Sequence, residues 1–125
     1  MFQPKQKLRE YQKEALDYAL SRENAVCVLP TGTGKTLVGL SWCCSLLNNG
    51  KVKRVLILEP TRFLVEQIYN YYLTNANFTK KELIKIYGVM DQKERIKEWE
   101  KESVISICTP QVAVNDFFIL ILMLL

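Results

Sequence analysis

AVCVLPTGTGKTLVGL, Ala25 to Leu40, is the stretch on which the fold turns. Its first five residues, Ala25 to Leu29, form a short apolar run rich in β-formers, bounded by Asn24 and Pro30. That is the pattern of a strand buried on both faces. A helix is expected from about Lys35 to Leu47, with Asn48, Asn49 and Gly50 supplying a left-handed stop. Between strand and helix, Thr31, Gly32, Thr33, Gly34, Lys35 and Thr36 match a phosphate-binding loop, except that Leu29 replaces the first glycine of the general pattern. Gly32 and Gly34 let the chain curl so that successive amides converge on phosphate oxygens, and the helix aims its positive end at the same place. Lys35 would neutralise the β and γ phosphates, while Thr36 would offer a hydroxyl oxygen to a bridging Mg²⁺. The plain alternative is a glycine-containing turn with a surface lysine; the strand before it and the helix after it argue against that.

Outward from this loop, strand and helix patterns alternate. Leu8, Tyr11, Ala15, Leu16, Ala19 and Leu20 recur at helical spacing and predict a first helix. Val55 to Leu58 reads as a second buried strand ended by Pro60, and Thr61 can cap a third helix whose Leu64, Val65, Ile68, Tyr69 and Tyr72 recur at three and four. Leu83 to Tyr87 is a third strand. Asp91 opens a charged helix through Lys101 with Ile96 and Trp99 on its buried side, and Val104 to Cys108 is a fourth strand. Continuous apolar strands separated by helices predict an α/β, three-layer fold with a mostly parallel sheet and helices on both faces.

Composition narrows the chemistry. The chain has 125 residues, 49% of them hydrophobic and 24% charged, enough for one packed domain and unlike a disordered or fibrous sequence. A net charge of +4 would suit a polyanionic partner without requiring one. With no histidine, and four cysteines in no CxxC spacing, zinc sites and histidine-based acid–base chemistry are excluded. The thiols suggest a cytoplasmic protein with reduced cysteines. Met1 to Glu10 lacks the apolar core of a signal peptide, and the apolar Phe117 to Leu125 falls far short of the ~20 residues of a membrane helix, so no membrane partner is expected.

In an open parallel sheet, ligands gather beyond the carboxyl ends of the strands. The second strand ends in Glu59-Pro60-Thr61-Arg62 and the fourth in Thr109-Pro110-Gln111, which brings hydroxyl, guanidinium and amide donors suited to a phosphate backbone. Each alone reads as an ordinary turn and cap. As an ordered set, LREYQ (Leu8 to Gln12), LPTGTGKT, LEPTRFLVEQ (Leu58 to Gln67) and ICTPQ (Ile107 to Gln111) resemble the first RecA-like motor domain of superfamily two helicases, over residues 8 to 116. The resemblance implies an ATP- and Mg²⁺-dependent motor. It gives Gln12, with Arg9, the role of reading adenine, gives Lys35 and Thr36 the triphosphate and metal, and sets Thr61, Arg62, Thr109 and Gln111 against one nucleic-acid strand. TPQVAVND, with Gly88, Arg95 and Trp99 before it, is most similar to the Hef and Fanconi anaemia group M helicases, which act on branched DNA. Dicer and RIG-I-like RNA helicases share LPTGTGKT and TPQ closely and remain the alternative.

The family's acidic DExH motif, which holds the metal and polarises the attacking water, does not follow in these 125 residues, where FFILILMLL comes after Asp116. Residues 1–116 are therefore expected to be the N-terminal, ATP-binding part of a motor domain that lacks its second motor domain. Residues 117–125 are expected to be a truncated or frameshifted end, a fifth apolar strand or a hydrophobic helix. Two rivals stay open: an unrelated phosphate-loop kinase, which would leave Gln12 and both rim motifs unexplained, and a non-catalytic fragment that only binds nucleotide.

Overall fold

The computed structural model describes residues 1–29 and 34–116, which fall into two compact units. The first comprises residues 1–53 with 74–77, and the second residues 54–73 with 78–116.

In the first unit, α1 (Glu10–Leu20) packs on α2 (Lys35–Asn48). Leu37, Val38, Leu40, Cys43 and Cys44 of α2 are buried; of the apolar face read for α1, Ala19 is buried and Tyr11 is exposed. Gly50 has φ 69°, in the left-handed region, and its amide donates to Leu47 O at 3.2 Å, so the expected stop after α2 is present. The N-terminus is strapped down by amide side chains. Asn48 bonds both main-chain groups of Phe2, and Asn77 accepts from Gln3 N at 2.7 Å and donates to Met1 O at 2.8 Å.

The strand expected at Ala25 to Leu29 does not form: the segment joins no ladder, and Val26 and Val28 are 84% and 87% exposed. Apolar β-formers supply propensity, whereas a strand exists only where a neighbour takes its N–H and C=O groups. Among the described residues the ladders are confined to the second unit.

There, β1 (Val55–Leu58), β2 (Leu83–Ile86) and β3 (Ile105–Cys108) form a parallel sheet in the order β1-β3-β2, flanked by α3 (Arg62–Asn75), α4 (Gln92–Trp99) and α5 (Pro110–Asn115). The α/β class with a parallel sheet is as read from the sequence. Val55 and Leu83 both stand opposite Ile105, while Leu58 and Ile86 stand opposite Cys108, so all three strands end in register. Central β3 buries Ile105, Ile107 and Cys108, and β2 buries Leu83, Ile84 and Ile86. Trp99 of α4 and Val112 of α5 complete a cluster with Ile84, Ile86 and Cys108. β1 departs from the expected two-sided burial. Among the described residues it pairs with β3 alone, and its Leu56 and Leu58 are exposed, alternating with half-buried Val55 and Ile57. The short helix α5 went unread in the sequence; Pro110 at its first turn supplies a preset φ and no unwanted N–H.

Candidate functional site

In the first unit, the sequence expectations converge on the start of α2. Thr31, Gly32 and Thr33 lie outside the described residues. Gly34 is the N-cap, with φ 77° and ψ 40°, and its carbonyl accepts from Leu37 N at 3.2 Å. A side chain at Gly34 would run into Gln12 Nε2, besides being strained at that φ. Lys35, exposed, and Thr36, half-buried, occupy the first turn, where backbone amides have no partner within the helix. The first turn of this 14-residue helix thus combines an ammonium, a hydroxyl and amide donors with the positive end of the dipole.

Gln12 reaches this turn from α1. Its Oε1 accepts from Arg9 N at 2.8 Å, half of a capping box, and its Nε2 donates to Gly34 O at 3.2 Å. One buried amide therefore fixes the start of α1 and braces the loop that precedes α2. This contact was not read from the sequence, where Gln12 and Arg9 were tied only to adenine. Arg9 is exposed and serves as the N-cap of α1.

In the second unit, register places the residues after all three strands on one edge of the sheet. Thr61 follows β1 and caps α3, its Oγ1 accepting from Leu64 N at 3.2 Å, which leaves the hydroxyl proton available. Exposed Arg62 lays its guanidinium over the Tyr87 ring, 4.6 Å from the centroid, at the end of β2. After β3, Thr109 is the N-cap of α5 and makes no side-chain cap bond, while Gln111 is exposed in the first turn. Thr61, Arg62, Thr109 and Gln111 thus all stand at carboxyl ends of paired strands. Burial raises the Glu59 carboxyl above its ordinary value.

Behind α5 lies a network that the sequence did not announce. Asp116 accepts from Arg95 Nε at 2.9 Å, Arg95 Nη2 at 3.2 Å and Trp99 Nε1 at 3.0 Å, and Arg95 Nη1 donates to Met90 O at 2.7 Å. It ties the C-terminus of α5 to α4. The four-residue spacing of Arg95 and Trp99 was the available signal, since it puts both on one helix face. Asp116 also acts on Cys108: burial first, then this negative charge, pushes the thiol up to about 11. Tyr72 is buried and Tyr71 packs against it at 6.4 Å, so this part of α3 serves packing, as expected.

Comparison with known proteins agrees with this arrangement. The DEAD/DEAH box helicase family matches residues 9–121. A Methanocaldococcus jannaschii protein named as an ATP-dependent RNA helicase is 37% identical over 108 residues, covering 86% of this chain and 14% of its own length. The ATP-dependent DNA helicase MPH1 of Kluyveromyces lactis is 30% identical over 109 residues, covering 87% of this chain and 11% of its own. The Pyrococcus furiosus Hef helicase domain superposes with a TM-score of 0.78 at 31% identity, over 88% of this chain and 22% of that one. The chain thus spans a small part of the length of these relatives.

Proposed function

The chain belongs to the DEAD/DEAH box helicase family, and on that premise we propose that it is the N-terminal, nucleotide-binding part of an ATP-dependent DNA helicase or translocase motor. The observation that carries the nucleotide reading is the Gln12 bridge from Arg9 N to Gly34 O, which joins the adenine-reading segment to the phosphate loop. The residues fit Mg-ATP. A side chain at Gly34 would crowd the loop, and Lys35 and Thr36 stand where helix amides lack partners. Mg²⁺, when bound, would neutralise charge between the β and γ phosphates, with Thr36 Oγ1 as one oxygen ligand. Lys35 contributes the formal positive charge beside the same oxygens. Gln12 orients the loop through Gly34 and selects adenine over guanine by its amide.

On the sheet edge, Arg62, Thr61, Thr109 and Gln111 donate to the backbone of a single strand, so binding falls steeply with salt and depends little on overall sequence. The similarity to the DNA helicase MPH1 supports DNA, and the M. jannaschii relative supports RNA as the second reading. Phosphoryl transfer needs a carboxylate to hold the metal and another to position water, and these 125 residues carry no acidic residue after Asp116. The test is calorimetric titration with Mg-ATP of the chain and of Lys35→Ala, followed by titration with DNA and RNA oligonucleotides of one sequence. Severe loss in Lys35→Ala and tighter binding of DNA are expected. Unchanged ATP affinity in a folded Lys35→Ala protein refutes the nucleotide site, and preference for RNA refutes the DNA assignment.

A further inference from the structure

Beside Arg62 lies a cleft of about 540 Å³, lined by Arg62, Phe63, Glu66, Lys85 and Tyr87. The LEPTRFLVEQ motif contains Phe63 and Glu66 without giving them a role, and no quoted motif contains Lys85 or Tyr87. They come together because Arg62, Phe63 and Glu66 share one side of α3, whereas Lys85 and Tyr87 are two apart along β2 and its extension. Phe63 is 75% exposed in the first turn of its helix, an unusual place for a large ring with no packing duty.

The charges of this cleft are arranged differently from those of a phosphate site. Lys85 is ion-paired to Glu66 and sits over the Tyr69 ring at 4.4 Å, so its charge is already answered. Arg62 lies over Tyr87, so its guanidinium plane makes a flat cationic platform while its in-plane N–H groups stay able to donate. Glu66 Oε2 is buried without a hydrogen-bond partner among the described residues, and a carboxylate repels phosphate while accepting from an amino group. Exposed ring, guanidinium platform and spare acceptor are the elements that hold a nucleobase.

We infer that the cleft between the first turn of α3 and the end of β2 is a nucleobase pocket. One base of a bound single strand stacks on Phe63 and the Arg62–Tyr87 platform and presents an exocyclic amino group to Glu66. The inference rests on the strand-binding reading above and extends it: Thr61 and Arg62 hold the backbone, and the next residue, Phe63, takes a base.

Labelled oligonucleotides of about fifteen nucleotides test it by fluorescence anisotropy with the full chain: oligo-dC, oligo-dT and an abasic backbone of equal length. Stacking should make oligo-dC bind about fivefold or more tightly than the abasic strand. Phe63→Ala should erase that gap while leaving abasic binding unchanged, and Phe63→Trp should keep it, with new emission quenched by oligo-dC and not by the abasic strand. Oligo-dC should also exceed oligo-dT, with the difference lost in Glu66→Leu, which has no acceptor and at the same time frees Lys85 and strengthens binding of every strand. Equal, salt-sensitive affinity for oligo-dC and the abasic strand overturns the pocket and leaves the backbone reading standing. A gap that survives Phe63→Ala, or a dC preference untouched by Glu66→Leu, also overturns the assignment. Absence of binding to all three strands overturns pocket and backbone reading together.

Discussion

Replacing Asp116 by alanine removes a carboxylate on which three donors converge, Arg95 Nε, Arg95 Nη2 and Trp99 Nε1. The Asp116 side chain is fully shielded, and that of Arg95 keeps 15% of its exposure. Removing one member of a buried ion pair costs roughly 3–5 kcal/mol, because the remaining charge is left uncompensated. An unmet indole N–H costs roughly 1–3 kcal/mol by itself. These penalties overlap. Arg95 Nη1 keeps the Met90 carbonyl, and the residual exposure lets water reach the guanidinium. The lower end, about 3 kcal/mol, is therefore expected for Asp116→Ala, a large share of the ~5–15 kcal/mol that holds a domain together. Pairing Arg95→Met with Asp116→Leu should recover part of the loss, since no charge is left stranded while the Trp99 indole N–H stays unmet. Urea unfolding followed by far-UV circular dichroism supplies the cycle. A loss below about 1 kcal/mol for Asp116→Ala, or additive effects of the two substitutions, would refute the view that this network holds α5 to α4.

The four thiols should separate by exposure: Cys27 is exposed, and Cys43, Cys44 and Cys108 are buried, so native alkylation should modify one thiol quickly and denaturation should release the other three. Burial pushes Cys44 up to about 12 and Cys108 up to about 11 from an ordinary 9.0. Because the folded values lie above the unfolded one, their contribution to stability is intact below pH 9.0 and is lost as pH rises toward 11 and 12, which an alkaline unfolding titration reads. Asn77→Ala should cost about 1 kcal/mol and speed exchange of the Gln3 amide without touching β3, since Asn77 Oδ1 accepts from Gln3 N; unchanged exchange at Gln3 would show that the strap does not depend on that side chain.

What the sequence made legible was local. Thr61 capping α3, Asp91 capping α4 by accepting from Glu94 N at 2.8 Å, and Gly50 ending α2 all depend on residues within one turn of each other. The apolar runs in β2 and β3 are also buried as read. The misreadings share one cause. AVCVL at 25–29 and VLIL at 55–58 look alike as strings, yet the first joins no ladder and the second is covered on one side only. An apolar run records what a segment could bury; whether it does so is decided by elements distant in the chain. Gln12 shows the converse case. A polar residue between Tyr11 and Lys13 carried no burial signal, and it is buried because the carbonyl of Gly34, twenty-two residues away, takes its amide.

The same reasoning explains why the phosphate loop was readable as a motif while the aromatic cleft was not. A phosphate loop is built from consecutive residues, so its chemistry is written as one string, and Gly34, Lys35 and Thr36 stand where that string puts them, at the start of α2. The cleft is assembled across the sheet from two segments, residues 62–66 and 85–87, joined by a cation over a ring. Parallel pairing makes the assembly possible: with Leu58, Cys108 and Ile86 in register, every segment that leaves a strand starts from one edge. Arg62 and Tyr87 then meet although twenty-four positions of sequence and a whole helix lie between their strands. Backbone donors at this edge would hold a strand without reading it, whereas a ring, a guanidinium plane and a spare carboxylate oxygen can distinguish a base from a bare phosphate chain.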